Sequence, residues 1–154
     1  MRIALAADHG GYAMKARLAE ELAREGHEIV DFGAKTLDPG DDYPDFVIPL
    51  AAAVASGGVE RGIALCTSGV GASIAANKIA GVRSALIHET FSARQGVEDD
   101  DMNVLCLGSK VLDYDQALEL VRLFLAARFS GAERHRRRLD KVARMECDCR
   151  MGLS

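Results

Sequence analysis

The residues most able to do chemistry lie in Cys66-Thr67-Ser68-Gly69-Val70-Gly71-Ala72-Ser73, where a thiol closes an apolar run and is followed by hydroxyls and two glycines. Helical periodicity begins at once after this loop, so its backbone amides are placed to converge on an anion. A thiol beside a helix start also gains thiolate character, which suits it to act as a base. The plainer alternative is an inert thiol at the end of a buried strand. Gly69-x-Gly71 is not a dinucleotide fingerprint, because Ile74 occupies the third glycine position and the loop follows the third strand. The phosphate-loop pattern ending in Gly-Lys-Ser/Thr is also absent from the sequence.

Two further groups carry usable side chains. Asp8-His9-Gly10-Gly11 sets an acid and an imidazole on a turn whose glycines let a ligand approach closely. The alternative is that Asp8 caps the next helix and His9 lies on the surface. Near the end of the chain, Arg134, His135 and Arg138 fall on neighbouring positions of one helical face, where guanidinium groups can grip a phosphate by paired hydrogen bonds. A solvated basic face would read the same way. The acidic run Glu98-Asp99-Asp100-Asp101 is expected to be a solvated loop before the fifth strand, with a divalent cation as the rarer option.

The elements that must position these groups follow from periodicity. Strands are predicted at 2–7, 27–32, 61–66, 82–87 and 104–107, and helices at 12–25, 45–56, 71–78, 91–97, 113–129 and 132–145. Strands alternating with helices predict a doubly wound, Rossmann-like α/β sandwich of three layers around a five-stranded parallel sheet. In such sheets ligands sit beyond the carboxyl ends of the strands, which is where the loops after strands one and three lie. The last helix has only Leu139, Val142 and Met145 as an apolar stripe, so it is expected to pack on a partner subunit.

The 154 residues suffice for one domain, 1–154, with roughly two thirds of its unfolded surface buried. Apolar stretches fall short of the roughly 20 residues of a membrane span, and the first residues lack a signal-peptide pattern, so a cytoplasmic protein is expected. A net charge of −4 argues against a nucleic-acid partner despite the basic last helix. Cys66, Cys106, Cys147 and Cys149 do not have the spacing of a disulfide framework and are read as reduced thiols. Cys147 and Cys149 could hold a metal only with a second ligand pair, which the sequence does not supply at a suitable spacing.

Asp8-His9-Gly10-Gly11, Asp42-Tyr43-Pro44, the CTSGVGASIAANK segment from Cys66 to Lys78, Asn103-Val104-Leu105 with Gly108-Ser109, and Arg134-His135 with Arg138 occur in one order. Together they resemble type B ribose-5-phosphate isomerases and the related galactose-6-phosphate isomerase subunits, over nearly the whole chain to about Arg144. The resemblance implies an aldose–ketose isomerase of a sugar phosphate, most directly ribose 5-phosphate to ribulose 5-phosphate. It further implies an active site shared between subunits of a homodimer or dimer of dimers, and no metal or organic cofactor. By the same resemblance Cys66 is the base, and Ser68 with the amides of Gly69, Val70, Gly71, Ala72 and Ser73 stabilises the enediolate. Thr67 and Asp100 line the substrate; Asp8, His9 and Tyr43 meet its hydroxyls or ring oxygen. Arg134, His135 and Arg138 form a phosphate clamp, with Lys110 standing where the family often has arginine. The chain departs from the family at Asp99-Asp100, where relatives that open a furanose ring usually carry histidine, often followed by asparagine; Asp99 is the catalytic candidate at that position, since a carboxylate can still relay a proton as a base. A tetrose such as erythrulose 4-phosphate, or a hexose 6-phosphate, is the alternative substrate, and a non-catalytic sugar-phosphate-binding module is the rival from another class.

Overall fold

A computed structural model describes the backbone of residues 1–150 and the side chains of residues 1–146. The elements run β1 (Arg2–Ala7), α1 (Tyr12–Arg24), β2 (Glu28–Asp31), α2 (Pro44–Ala55), β3 (Arg61–Cys66), α3 (Val70–Ala76), β4 (Ser84–Leu86), α4 (Thr90–Asp100), β5 (Val104–Gly108), α5 (Tyr114–Ala126) and α6 (Glu133–Arg150). All strand pairs are parallel and the sheet order is β2-β1-β3-β5-β4. The chain winds outward from β1 to β2 and then crosses to β3 on the other side. The crevice between the carboxyl ends of β1 and β3 is therefore the switch point of the sheet.

Strand alternation sorts the core into two layers. Ile3, Leu5, Ala7, Ile63, Leu65, Leu105 and Leu107 pack against α1, α4 and α5. Ala4, Ala6, Ala64, Cys66, Val104 and Cys106 face α2 and α3. This second face is built from small residues, so its helices come close. A Cβ on Gly62 would meet Leu50 Cδ2 at 2.6 Å.

Three helices differ from their expected bounds by three residues or more at one end. α4 continues to Asp100, so the acidic run is its last turn rather than a loop. Arg94 pairs with Glu98 and Gln95 with Asp99, both one turn apart, while Asp101 caps the helix in a left-handed conformation and binds Arg83. Those pairings give the acidic side chains partners within the fold, where the sequence read them as solvated. α5 begins with an Asp113–Gln116 capping box and stops at Ala126, three residues short of the prediction. The Arg61 guanidinium, buried below the sheet, takes the Phe124 and Ala127 carbonyls, and Arg128 takes that of Leu125. α6 runs past its expected end, with Val142 and Met145 exposed. Among the described residues no helix is long and apolar enough to cross a membrane. The side chains of Cys147 and Cys149 lie outside the described residues.

Candidate functional site

The loops after β1, β3 and β5 are tied into one floor at the switch point. Asp8 is buried, and its Oδ1 accepts the amides of Gly10 at 2.9 Å and Gly11 at 3.2 Å, turning the chain directly after β1. A Cβ on Gly10 would collide with Thr67 Oγ1 and lie 3.0 Å from the Thr67 amide, so the first loop sits against the third-strand loop without a side chain between them. The Ser109 hydroxyl donates to the Gly10 carbonyl. The amides of Ser109 and Lys110 donate to the Cys66 and Thr67 carbonyls, each at 3.0 Å.

Cys66 ends β3 on the α2–α3 face, 5% exposed, and its Sγ accepts the Gly69 amide at 3.1 Å. Gly69 has φ 81°, and a Cβ there would strike Leu86 and lie 2.9 Å from the Leu107 carbonyl carbon. Only glycine fits both the angle and the space. The first intrahelical bond of α3 runs from the Ser73 amide to the Gly69 carbonyl, at 3.0 Å. The amides of Gly71 and Ala72 therefore have no carbonyl one turn back to bond. α3 is seven residues long, so it offers an anion these two amides rather than a long aligned dipole. The Tyr43 ring lies over Gly71, whose Cβ would stand 2.6 Å from Tyr43 Cζ and 3.0 Å from its hydroxyl. Thiol, hydroxyls, free amides and phenol thus share one crevice.

His9 stands beside this crevice, half-exposed, with its ring Nδ1 2.7 Å and its amide 2.9 Å from Asp41 Oδ1. The hydrogen bond to Asp41 raises the His9 pKa above the usual histidine value, with Asp8 adding to the effect. Asp41 was not singled out in the sequence. It lies 32 residues from His9 in a turn-rich stretch, and its adjacency to Asp42-Tyr43-Pro44 was the one available signal.

Of the remaining expected site residues, all but Lys110 lie away from this crevice in the same chain. Asp99 lies in the last turn of α4, where its Oδ2 accepts from Gln95 Nε2 at 2.8 Å and its Oδ1 is 3.3 Å from His135 Nδ1. His135 is 2% exposed; its Nδ1 is 2.9 Å from the Ser130 hydroxyl and its Nε2 accepts from Arg134 Nε at 2.8 Å. Both ring nitrogens are thus engaged by the chain itself. Arg134 and Arg138 are exposed on α6, as are Asp100 at the end of α4 and Lys110 in the β5–α5 loop. α4 runs back along the sheet, and Asp101 meets Arg83 just before β4. Asp99 therefore lies at the amino end of the sheet and Cys66 at the carboxyl end. The five steps of β3 alone span about 16 Å. One chain brings together Asp8, His9, Tyr43, residues 66–73 and Lys110, and separately Asp99, His135 and Arg134, with Asp100 and Arg138 on the same two helices; it does not join the two groups.

Fold and site together define a doubly wound α/β domain with a thiol and an amide cradle at its switch point. The family model described as Ribose/Galactose Isomerase matches residues 3–142, and the chain belongs to that family. It is 37% identical over 145 residues to ribose-5-phosphate isomerase B of Escherichia coli, covering 94% of this chain and 96% of that one. It is 39% identical over 146 residues to the Mycobacterium tuberculosis protein of the same name, covering 95% and 90%. Among solved structures, ribose-5-phosphate isomerase B of Clostridium thermocellum superposes with a TM-score of 0.93 at 42% identity, covering 96% of this chain and 99% of that one. That of Mycoplasma genitalium, with bound ribulose 5-phosphate, gives 0.91 at 38%, covering 96% and 97%.

Proposed function

We propose that the chain is an aldose–ketose isomerase that interconverts ribose 5-phosphate and ribulose 5-phosphate through an enediolate. The observation that carries this is the Cys66 thiol set in the switch-point crevice beside the unbonded amides of Gly71 and Ala72. Family membership and relatives named for this reaction support it. Cys66, as thiolate, takes the proton from the carbon beside the carbonyl. The electron pair moves to the carbonyl oxygen, where Ser68 and the loop amides hold the charge. The thiol then returns the proton to the former carbonyl carbon, while the hydroxyl proton of the adjacent carbon passes to the first oxygen and its bond pair forms the new carbonyl, so no atom is gained or lost. Preorganised amides are suited to the task because they need no reorganisation as the charge forms. Asp8, His9, Tyr43 and Thr67 hold the sugar hydroxyls.

Arg134 and Arg138, with Lys110, bind the phosphate, and the separation of α6 from Cys66 within one chain supports a site completed by a second copy. We therefore propose a homodimer, or a dimer of dimers, working in the cytoplasm, where phosphorylated sugars are retained. A second reading, an isomerase of a tetrose phosphate, which cannot close a five-membered ring through its phosphorylated end, is favoured by one observation: both Asp99 oxygens are engaged, by Gln95 and His135. A carboxylate with both oxygens taken by its own chain is not free to serve ring opening, a step that a tetrose phosphate does not need. A panel of pentose, tetrose and hexose phosphates scored for ketose formation decides between them. Cys66→Ala is expected to lower kcat by orders of magnitude with phosphate-ligand binding retained. A loss of less than about tenfold, only about 1.4 kcal/mol, would refute the role of the thiol.

A further inference from the structure

The β2–α2 loop carries a carboxylate whose position stability does not explain. Asp41 has a side chain only 9% exposed, its Oδ1 takes both the backbone amide and Nδ1 of His9, and its Oδ2 is buried with no hydrogen-bond partner among the described residues. A buried carboxylate oxygen without a partner is unfavourable, so an aspartate kept for structure alone would be expected to satisfy it. What the arrangement achieves is control of the imidazole. With Nδ1 facing Asp41, that nitrogen carries a proton, and the ring cannot turn without breaking its bond to an oxygen that the His9 backbone amide holds in place. Nε2, on the opposite edge of a half-exposed ring, is then the nitrogen left to meet a ligand.

We infer that Asp41 is a positioning residue that locks His9 with its Nε2–H edge presented to an acceptor oxygen of the bound sugar phosphate. This rests on the reading of the crevice as the substrate site. The groups facing His9 are both acidic: Asp41 from the β2–α2 loop, and Asp8 from the end of β1. Each favours the imidazolium, and the raised His9 pKa has the Asp41 hydrogen bond as its largest cause. The sign is then fixed. A cationic donor is present below the raised pKa and is lost as pH rises through it, so the contribution to substrate binding weakens on the alkaline side.

The test pairs Asp41→Asn, which keeps an acceptor and removes the charge, with Asp41→Leu, which removes both. Free enzyme is titrated by NMR on the His9 ring resonance, assigned through its loss in His9→Asn. KM and kcat for ribose 5-phosphate are measured across the same pH range. The His9 midpoint is expected to fall in both variants. Between the variant's His9 midpoint and the higher midpoint of the wild type, KM should rise about tenfold in Asp41→Leu and less in Asp41→Asn, with kcat within about twofold, in keeping with loss of a charge-assisted hydrogen bond. The KM gap should narrow below about pH 5.5, where an unassisted imidazole is itself protonated. An unchanged midpoint, or a KM rise equal at every pH, overturns the inference. If the wild-type enzyme turns over no sugar phosphate, the functional reading fails, while the NMR comparison still decides whether Asp41 controls His9.

Discussion

Gly71→Ala tests the crevice with the smallest possible perturbation, one methyl group. The new Cβ would stand 2.6 Å from Tyr43 Cζ, 2.8 Å from Cε1 and 3.0 Å from the hydroxyl. Ordinary carbon contacts are about 3.5–4.0 Å, so the ring must retreat by about 1 Å. It can do so by side-chain rotation, because the contact is with the far end of the ring and Tyr43 immediately precedes the first residue of α2, Pro44. The backbone of α3 then stays put, and alanine in place of a helical glycine is favourable by up to about 1 kcal/mol. The melting temperature should thus hold or rise by about 2–4 °C. Activity should not hold. A displacement of about 1 Å at a substrate-positioning group costs on the order of a hundredfold. Ketose formation measured for Gly71→Ala beside Tyr43→Phe gives the comparison. A variant that melts normally and keeps kcat/KM within about threefold of wild type would show that Tyr43 does not position substrate, since the reasoning requires about 2.7 kcal/mol of lost transition-state stabilisation.

Arg138→Ala should raise KM by about tenfold or more with little change in kcat, because a phosphate is held equally in ground and transition states. Arg137→Ala, on an exposed side chain paired with Glu133, should change neither; a reversal in steady-state kinetics would overturn the assignment of the clamp face. Sedimentation should find a dimer or a multiple of one. Mixing Cys66→Ala with a chain carrying Arg134→Ala and Arg138→Ala, then allowing exchange, should restore up to about a quarter of wild-type activity, one intact site in half the dimers. A mixture no better than its parents would place both groups in one subunit's site. Lys15→Met removes the buried ammonium that bonds Asp31 at 2.7 Å and the Ala34 carbonyl at 2.7 Å, and chemical denaturation should show a loss of about 2–4 kcal/mol.

The strands flanking the crevice were legible because their signals are local. Arg2–Ala7 and Arg61–Cys66 are apolar runs stopped by glycine-rich turns, and both were found at the predicted bounds. The thiol loop was legible for the same reason. The end of α4 was misjudged because consecutive acids read as solvated, whereas their partners Arg94, Gln95 and Arg83 lie a turn or a strand away. His135 carries a different limit. Helical spacing set it beside Arg134 and Arg138, but only the fold shows it buried between Ser130, Asp99 and Arg134. Asp41 meets His9 across a 32-residue separation that no periodicity marks.

Sheet order also constrains how the chain can assemble. β4 pairs only with β5, which follows it in sequence, and β3 pairs with β1 on one side and β5 on the other. A chain emerging residue by residue can therefore zip β1 to β2 and then to β3, but the three residues Ser84–Leu86 have no edge to join until Val104–Gly108 arrives. Until then β3 presents an open apolar edge, the kind of surface on which nascent chains associate wrongly. The thiol at the tip of β3 and the loop that cradles it are thus fixed late in synthesis, since Ser109 and Lys110 close onto Cys66 and Thr67 only after β5 docks. Chains stalled before β5 should be bound by chaperones and sensitive to protease, even though most of the crevice's residues have already been made.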